Sequence, residues 1–86
     1  MTITIYSKSQ CPNCEIAKTL LKSMSITFTE VRVDLDPESK QFLIGQGHKS
    51  VPQFYRGDEL LLSGGYQELV GLSNDELKIK FGEKTC

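Results

Sequence analysis

The apolar residues of this chain change period as the sequence runs, and each change marks an element. Ile3 and Ile5 alternate with Thr2, Thr4 and Tyr6, the period of two that sends one face of a strand inward, so Thr2–Tyr6 reads as the first strand. Ile16, Ala17, Leu20, Leu21 and Met24 recur at helical spacing with Lys18 and Lys22 turned outward, which predicts a helix ending near Met24. Phe28 to Leu35 reads as a second strand. Its apolar parity shifts between Phe28 and Val31, so either a bulge intervenes or only Val31 to Asp34 is regular.

Asp36-Pro37-Glu38 supplies a cap, a proline at the first helical position and a first-turn carboxylate. That predicts a short second helix through Phe42, Leu43 and Ile44, closed by Gly45 or Gly47. From Val51 the chain reads as a hairpin: Gln53-Phe54-Tyr55, a turn at Arg56-Gly57-Asp58, then Glu59 to Leu62. Gly64-Gly65 breaks the pattern before a last helical region with Leu69, Val70 and Leu72. A capping box at Ser73-Asn74-Asp75-Glu76, leading into Leu77 and Phe81, is a place where that region can divide in two. The order β-α-β-α-β-β-α is that of a small α/β sheet, with parallel neighbours made by the first crossover and antiparallel ones by the hairpin.

Composition narrows the function classes. At 86 residues the chain is expected to be one domain, 1–86, with a modest core. Ten basic and eleven acidic side chains leave a net charge of −1, so no strong field favours nucleic acid or an anionic membrane. No apolar run approaches the ~20 residues that span a bilayer, and no charged segment followed by an apolar stretch opens the chain. A soluble, cytoplasmic monomer is expected. Three cysteines, an odd number, do not make a secreted disulfide framework.

Two of those cysteines carry chemistry. Cys11-Pro12-Asn13-Cys14 lies between the first strand and the first helix, with Pro12 at the position where a missing N–H costs nothing. Cys11 then falls at the helix N-cap and Cys14 one turn along on the same side. Unpaired amides, the positive end of the helix dipole and nearby Lys8 favour a thiolate at Cys11, which makes it the nucleophile. Cys14, deeper and less ionised, suits the resolving thiol.

A zinc site needs four ligands, and only His48 and Cys86 remain to complete one. A proline opening a helix after a strand fits redox chemistry better. A bridge enclosing two residues constrains the unfolded chain too little to exist for stability alone. His48, in a Gly-rich loop, reads as a solvated side chain, and Cys86 as a terminal thiol without a partner. Tyr6, Phe28, Phe42, Phe54 and Phe81 read as core, whereas Tyr66, beside the glycines, is the aromatic expected to border the site.

Together, Ile3-Thr4-Ile5-Tyr6, Lys8, Cys11-Pro12-Asn13-Cys14, Ser50-Val51-Pro52 and Gly64-Gly65-Tyr66 resemble a glutaredoxin over nearly the whole chain. The resemblance implies a thioredoxin-like fold with a four-stranded mixed sheet flanked by three helices, and a cis proline at Pro52. It also implies a glutathione site made of Lys8, Pro12, Asn13, Val51, Pro52, Gly65, Tyr66, Gln67 and Glu68. In that family the lysine matching Lys8 lies near the glycine carboxylate and the residue matching Val51 pairs its backbone with the tripeptide. The γ-glutamyl end is usually held by Ser, Thr or Asp followed by Asp; here the pair is Gln67-Glu68, bulkier and one methylene longer.

Val33-Asp34, Pro37-Glu38, Gln46-Gly47, Gly57-Asp58 and Ser63-Gly64 also resemble the glutaredoxin-like redoxins that serve ribonucleotide reductase and are recharged by thioredoxin reductase. CPNC and the double glycine favour a glutathione-using dithiol glutaredoxin that reduces protein disulfides and glutathione mixed disulfides. No metal is expected. A module binding zinc, or an iron–sulfur cluster shared between two monomers as in some glutaredoxins, is the alternative of another class.

Overall fold

A computed structural model describes residues 3–48, 50–57, 59–62 and 64–81. Four strands, β1 (Ile3–Ser7), β2 (Phe28–Arg32), β3 (Gln53–Arg56) and β4 (Glu59–Leu60), form one sheet in the order β2-β1-β3-β4. β1 runs parallel to β2 and antiparallel to β3, which pairs antiparallel with β4. Four helices accompany it: α1 (Pro12–Ser23), α2 (Pro37–Gly45), α3 (Gly65–Gly71) and α4 (Asn74–Phe81).

The mixed sheet and thioredoxin-like architecture are those expected, but the described residues form four helices and not three. Both arms of the capping box form: the Glu76 N–H donates to Ser73 Oγ and the Ser73 N–H to Glu76 Oε1, each at 3.2 Å. With Leu72 extended before it, Ser73 ends one helix and starts another.

Both faces of the sheet are covered, and this resolves the parity shift in β2. Ile3 and Ile5 bury one face with Ala17, Leu21, Phe54, Leu62, Leu69, Leu77 and Phe81, and Phe28 packs against that cluster. Val33, Leu43 and Tyr55 form a second cluster on the other face with Tyr6, Phe42 and Val51. Phe28 thus belongs to one core and Val33 to the other. No bulge is needed, because β1 and β2 pair one to one from Ile3 opposite Phe28 to Ser7 opposite Arg32.

Several expected boundaries move. β2 stops at Arg32 rather than running to Leu35: the Arg32 guanidinium grips Asp34 through two bonds of 2.8 and 2.6 Å, and the Leu35 N–H turns back to the Arg32 carbonyl at 3.0 Å. β4 ends at Leu60, although the Leu61 N–H still reaches the Phe54 carbonyl at 2.9 Å. Asp36 precedes α2 without capping it; its carboxylate accepts from Ser39 Oγ at 2.7 Å. Lys18 does not point simply outward. It bridges Glu15 on α1 and Glu30 on β2, and its side chain is only 15% exposed.

Candidate active site

The strand-to-helix turn after β1 builds the reactive end. Gln10 takes a left-handed conformation (φ 55°), turning the chain so that Cys11 enters α1 as its extended N-cap with Pro12 in the first turn. Cys11 Sγ accepts from the Cys14 N–H at 3.3 Å, and its carbonyl accepts from Cys14 and Glu15 N–H groups at 3.1 and 3.2 Å. The Cys14 amide at the positive end of α1 is thus directed at the Cys11 sulfur, where it would favour a thiolate on reduction. Cys11 and Cys14 are joined here by a disulfide, with Cα atoms 5.3 Å apart. Cys14 is fully buried and Cys11 is 9% exposed, so Cys11 is the more accessible of the two sulfurs.

A second loop meets the disulfide. The Val51–Pro52 peptide bond is cis, and the Val51 carbonyl oxygen lies 3.9 Å from Cys11 Sγ, a packing contact since a disulfide sulfur carries no proton. Gln53, 5% exposed, ties this loop from beneath through Nε2 to the Ser50 carbonyl at 2.9 Å, while its Oε1 has no partner among the described residues. Sequence reasoning took Gln53 only as a strand residue. A polar residue inside a short apolar run was the available signal.

Gly65 closes the site from a third side. Its φ is +60°, and a Cβ there would stand 3.3 Å from the Pro52 carbonyl oxygen and 3.7 Å from Gln53 Nε2, so glycine lets the α3 loop approach the proline loop.

Two grooves run from this junction and share Ser50 and Val51. One, of about 460 Å³, is lined by Asn13, Pro52, Gly65, Tyr66 and Gln67 as well. The other, of about 500 Å³, lies on the α2 side and includes Lys8. The structure therefore brings Asn13, Val51, Pro52, Gly65, Tyr66 and Gln67 together beside the disulfide, sets Lys8 across Val51 from them, and leaves Pro12 and Glu68 lining neither groove. Glu68 instead folds back on its own helix. Its Oε1 accepts from the Gly64 N–H at 2.8 Å and its Oε2 lies 3.7 Å from Lys80 Nζ. Gly64 makes room for this, since a Cβ there would meet Glu68 Cβ at 2.9 Å.

Two carboxylates near the site, Glu30 and Asp34, are paired. Hydrogen bonds from Lys18 and then Ser7 hold the Glu30 carboxyl below its ordinary range, and Ser7, fully buried at the end of β1, donates at 2.7 Å. The Arg32 guanidinium holds Asp34 far below the usual carboxylate range. His48 is not simply solvated: its Nε2 lies 2.6 Å from the Tyr55 hydroxyl, whose titration burial pushes up, with Tyr6 adding to the shift. Among the described residues no cluster of three or more His, Cys, Asp or Glu is arranged to hold a metal; Cys86 lies outside them.

The glutaredoxin family model matches residues 3–61. The chain belongs to the glutaredoxin family. It is 36% identical over 58 residues to the glutaredoxin-like protein NrdH of Salmonella typhimurium, covering 67% of this chain and 72% of that one. It is 37% identical over 78 residues to a glutaredoxin of Neisseria meningitidis, covering 86% and 87%. Its fold superposes with TM-score 0.69 and 27% identity on the Escherichia coli NrdH-redoxin, described as having a thioredoxin-like activity profile, over 85% of this chain and 96% of that one. The chain is a thiol–disulfide redox protein with relatives in both branches of its family.

Proposed function

We propose that this protein is a cytoplasmic, monomeric dithiol oxidoreductase that reduces protein disulfides and glutathione mixed disulfides, with glutathione as electron donor. The Cys11 thiolate attacks one substrate sulfur, forming a mixed disulfide and expelling the other sulfur as a thiolate that takes a proton from solvent. Cys14 loses its proton and attacks Cys11, forming the intramolecular disulfide and releasing the second thiolate. Two electrons have moved to the substrate. Two glutathione molecules reverse the change: the first opens the Cys11–Cys14 bond and the second leaves with it as glutathione disulfide.

The observation that supports glutathione is the arrangement of the two grooves around Val51. A tripeptide whose cysteine lies at Val51 beside Cys11 directs its glycine carboxylate toward Lys8 and its γ-glutamyl end toward Tyr66 and Gln67. Coupling glutathione, glutathione reductase and NADPH to reduction of a glutathionylated peptide tests this; steady NADPH oxidation is the expected result, and none above background overturns it.

A specific observation favours a second reading. Glu68 is engaged by Gly64 and Lys80, so the carboxylate expected to hold the γ-glutamyl ammonium is already occupied. Together with the NrdH relatives, this supports a redoxin that passes electrons to ribonucleotide reductase and is recharged by thioredoxin reductase. Replacing the glutathione system with thioredoxin reductase in the same assay separates the two.

A further inference from the structure

We propose that the groove between α2 and Val51 is a docking site for an extended segment of the disulfide-bearing partner protein that carries an apolar side chain and an acidic residue near its cysteine. The inference rests on the oxidoreductase reading, whichever donor recharges the protein.

Four observations converge on it. The groove, of about 500 Å³, shares Ser50 and Val51 with the disulfide site, so a chain held at Cys11 continues into it. Its lining includes the apolar Val33, Leu43 and Ile44, and Ile44 is left 53% exposed. The groove is also lined by Lys8 and Lys40, whereas Asp34, the carboxylate lining it, is neutralised by the two-bond grip of Arg32. The local field is therefore positive on a chain whose net charge is −1.

Glutathione does not account for the whole groove. Its glycine carboxylate can use Lys8, but the tripeptide has no apolar side chain to cover Ile44 and Leu43, and a second cation at Lys40 exceeds what one carboxylate needs. A polypeptide supplies both features. An extended chain advances ~3.3 Å per residue, so two or three residues beyond the cysteine can span a groove of this size. Apolar contact gives the anchor, and the lysines select the sign of the neighbouring charge.

The test uses protein reduced beforehand and mixed with peptide–thionitrobenzoate disulfides, so the electron donor plays no part. In one peptide the cysteine is flanked on both sides by Leu and Glu, in a second by Leu and Lys, and in a third by Ala and Glu. Hydroxyethyl disulfide serves as a small substrate. Wild type is expected to consume the Leu/Glu peptide about three- to tenfold faster at limiting concentration than either of the others. Lys40→Glu should invert the Glu-over-Lys preference, and Ile44→Ser should erase the Leu-over-Ala preference. Both positions are exposed, and both variants should keep wild-type turnover of hydroxyethyl disulfide. Equal rates for all peptides, or a Lys40→Glu variant that slows acidic and basic peptides alike, would overturn the inference while leaving the oxidoreductase reading intact. Failure to reduce any disulfide, small or peptide, overturns both.

Discussion

The start of α1 and the start of α3 both face the disulfide, yet they are built by different means. At α1 the chemistry follows from backbone: a left-handed Gln10, an extended N-cap at Cys11, Pro12 in the first turn and an amide at Cys14 aimed at sulfur. At α3 the backbone approach is equally tight, because Gly65 lies under the Pro52 carbonyl, but the expected ligand-holding group is a long side chain with competitors nearby. Position along a helix determines what surrounds Cys11 Sγ. It does not determine where Glu68 points, which is decided by the Gly64 N–H and Lys80.

The sharpest way to break this contrast is to remove the sulfur that the α1 backbone serves. Cys11→Ser should abolish turnover of every substrate, since a serine hydroxyl at that N-cap is not a disulfide nucleophile. Cys14→Ser should retain part of the activity on glutathione mixed disulfides, which need only one thiol, and lose it on protein disulfides. Residual turnover in Cys11→Ser near the wild-type rate, measured with a glutathionylated peptide, would sink the assignment of roles.

The α3 approach is tested through Gly65. An alanine there must hold φ near +60° and place its Cβ 3.3 Å from the Pro52 oxygen. The left-handed conformation alone costs an L-residue about 1–2 kcal/mol, a fall of roughly 4–16 °C in melting temperature for a domain of this size. Gly45→Ala, with nothing within 4 Å and an ordinary helical φ, should leave stability unchanged or raise it slightly. Equal melting temperatures for the two variants would show that the close approach of α3 to the proline loop carries no stability.

What the sequence made legible follows the same division. The two cysteines, Pro12, the hairpin and the capping box were readable because proline, N-cap chemistry and apolar period act locally. The early end of β2 was hidden, since it depends on an Arg32–Asp34 fork that forms only once the chain turns. The parity of β2 looked irregular because a sheet covered on both faces sends Phe28 and Val33 to different cores. Lys18 and His48 were misread because each makes a contact, with Glu30 and with Tyr55, across a gap that no spacing rule spans.

The network under α1 gives a smaller, pH-dependent effect. Glu30 titrates below its ordinary value of 4.5 because Lys18 and Ser7 bond its charged form. A carboxyl whose folded value is depressed contributes stability that is complete above its unfolded value and is lost as pH falls through the folded one. The melting temperature should therefore be flat near neutrality and drop as pH falls below about 4.5. Glu30→Gln should melt lower than wild type at pH 7 and converge on it in acid. Parallel melting curves for both proteins from pH 7 to pH 3 would show that the network contributes nothing to the hold on α1.

The smallest expected effect decides how α3 treats a ligand. If glutathione binds with its γ-glutamyl ammonium on Glu68, the carboxylate must first leave the Gly64 N–H and Lys80, so binding gains only the difference between two similar charge-assisted contacts. Glu68→Ala should then raise the Michaelis constant for a glutathionylated peptide by only about two- to fivefold and leave kcat nearly unchanged. Lys80→Met removes a competitor instead of the holder, so it should move the same constant the opposite way, by about twofold. Opposite signs from two substitutions on one ion pair identify competition, because a purely structural pair would weaken binding from either side. If neither substitution changes the Michaelis constant while thioredoxin reductase recharges the disulfide efficiently, Glu68 is only a helix cap. In that case α3 presents a closed end to glutathione, and electrons reach Cys11 from a protein donor.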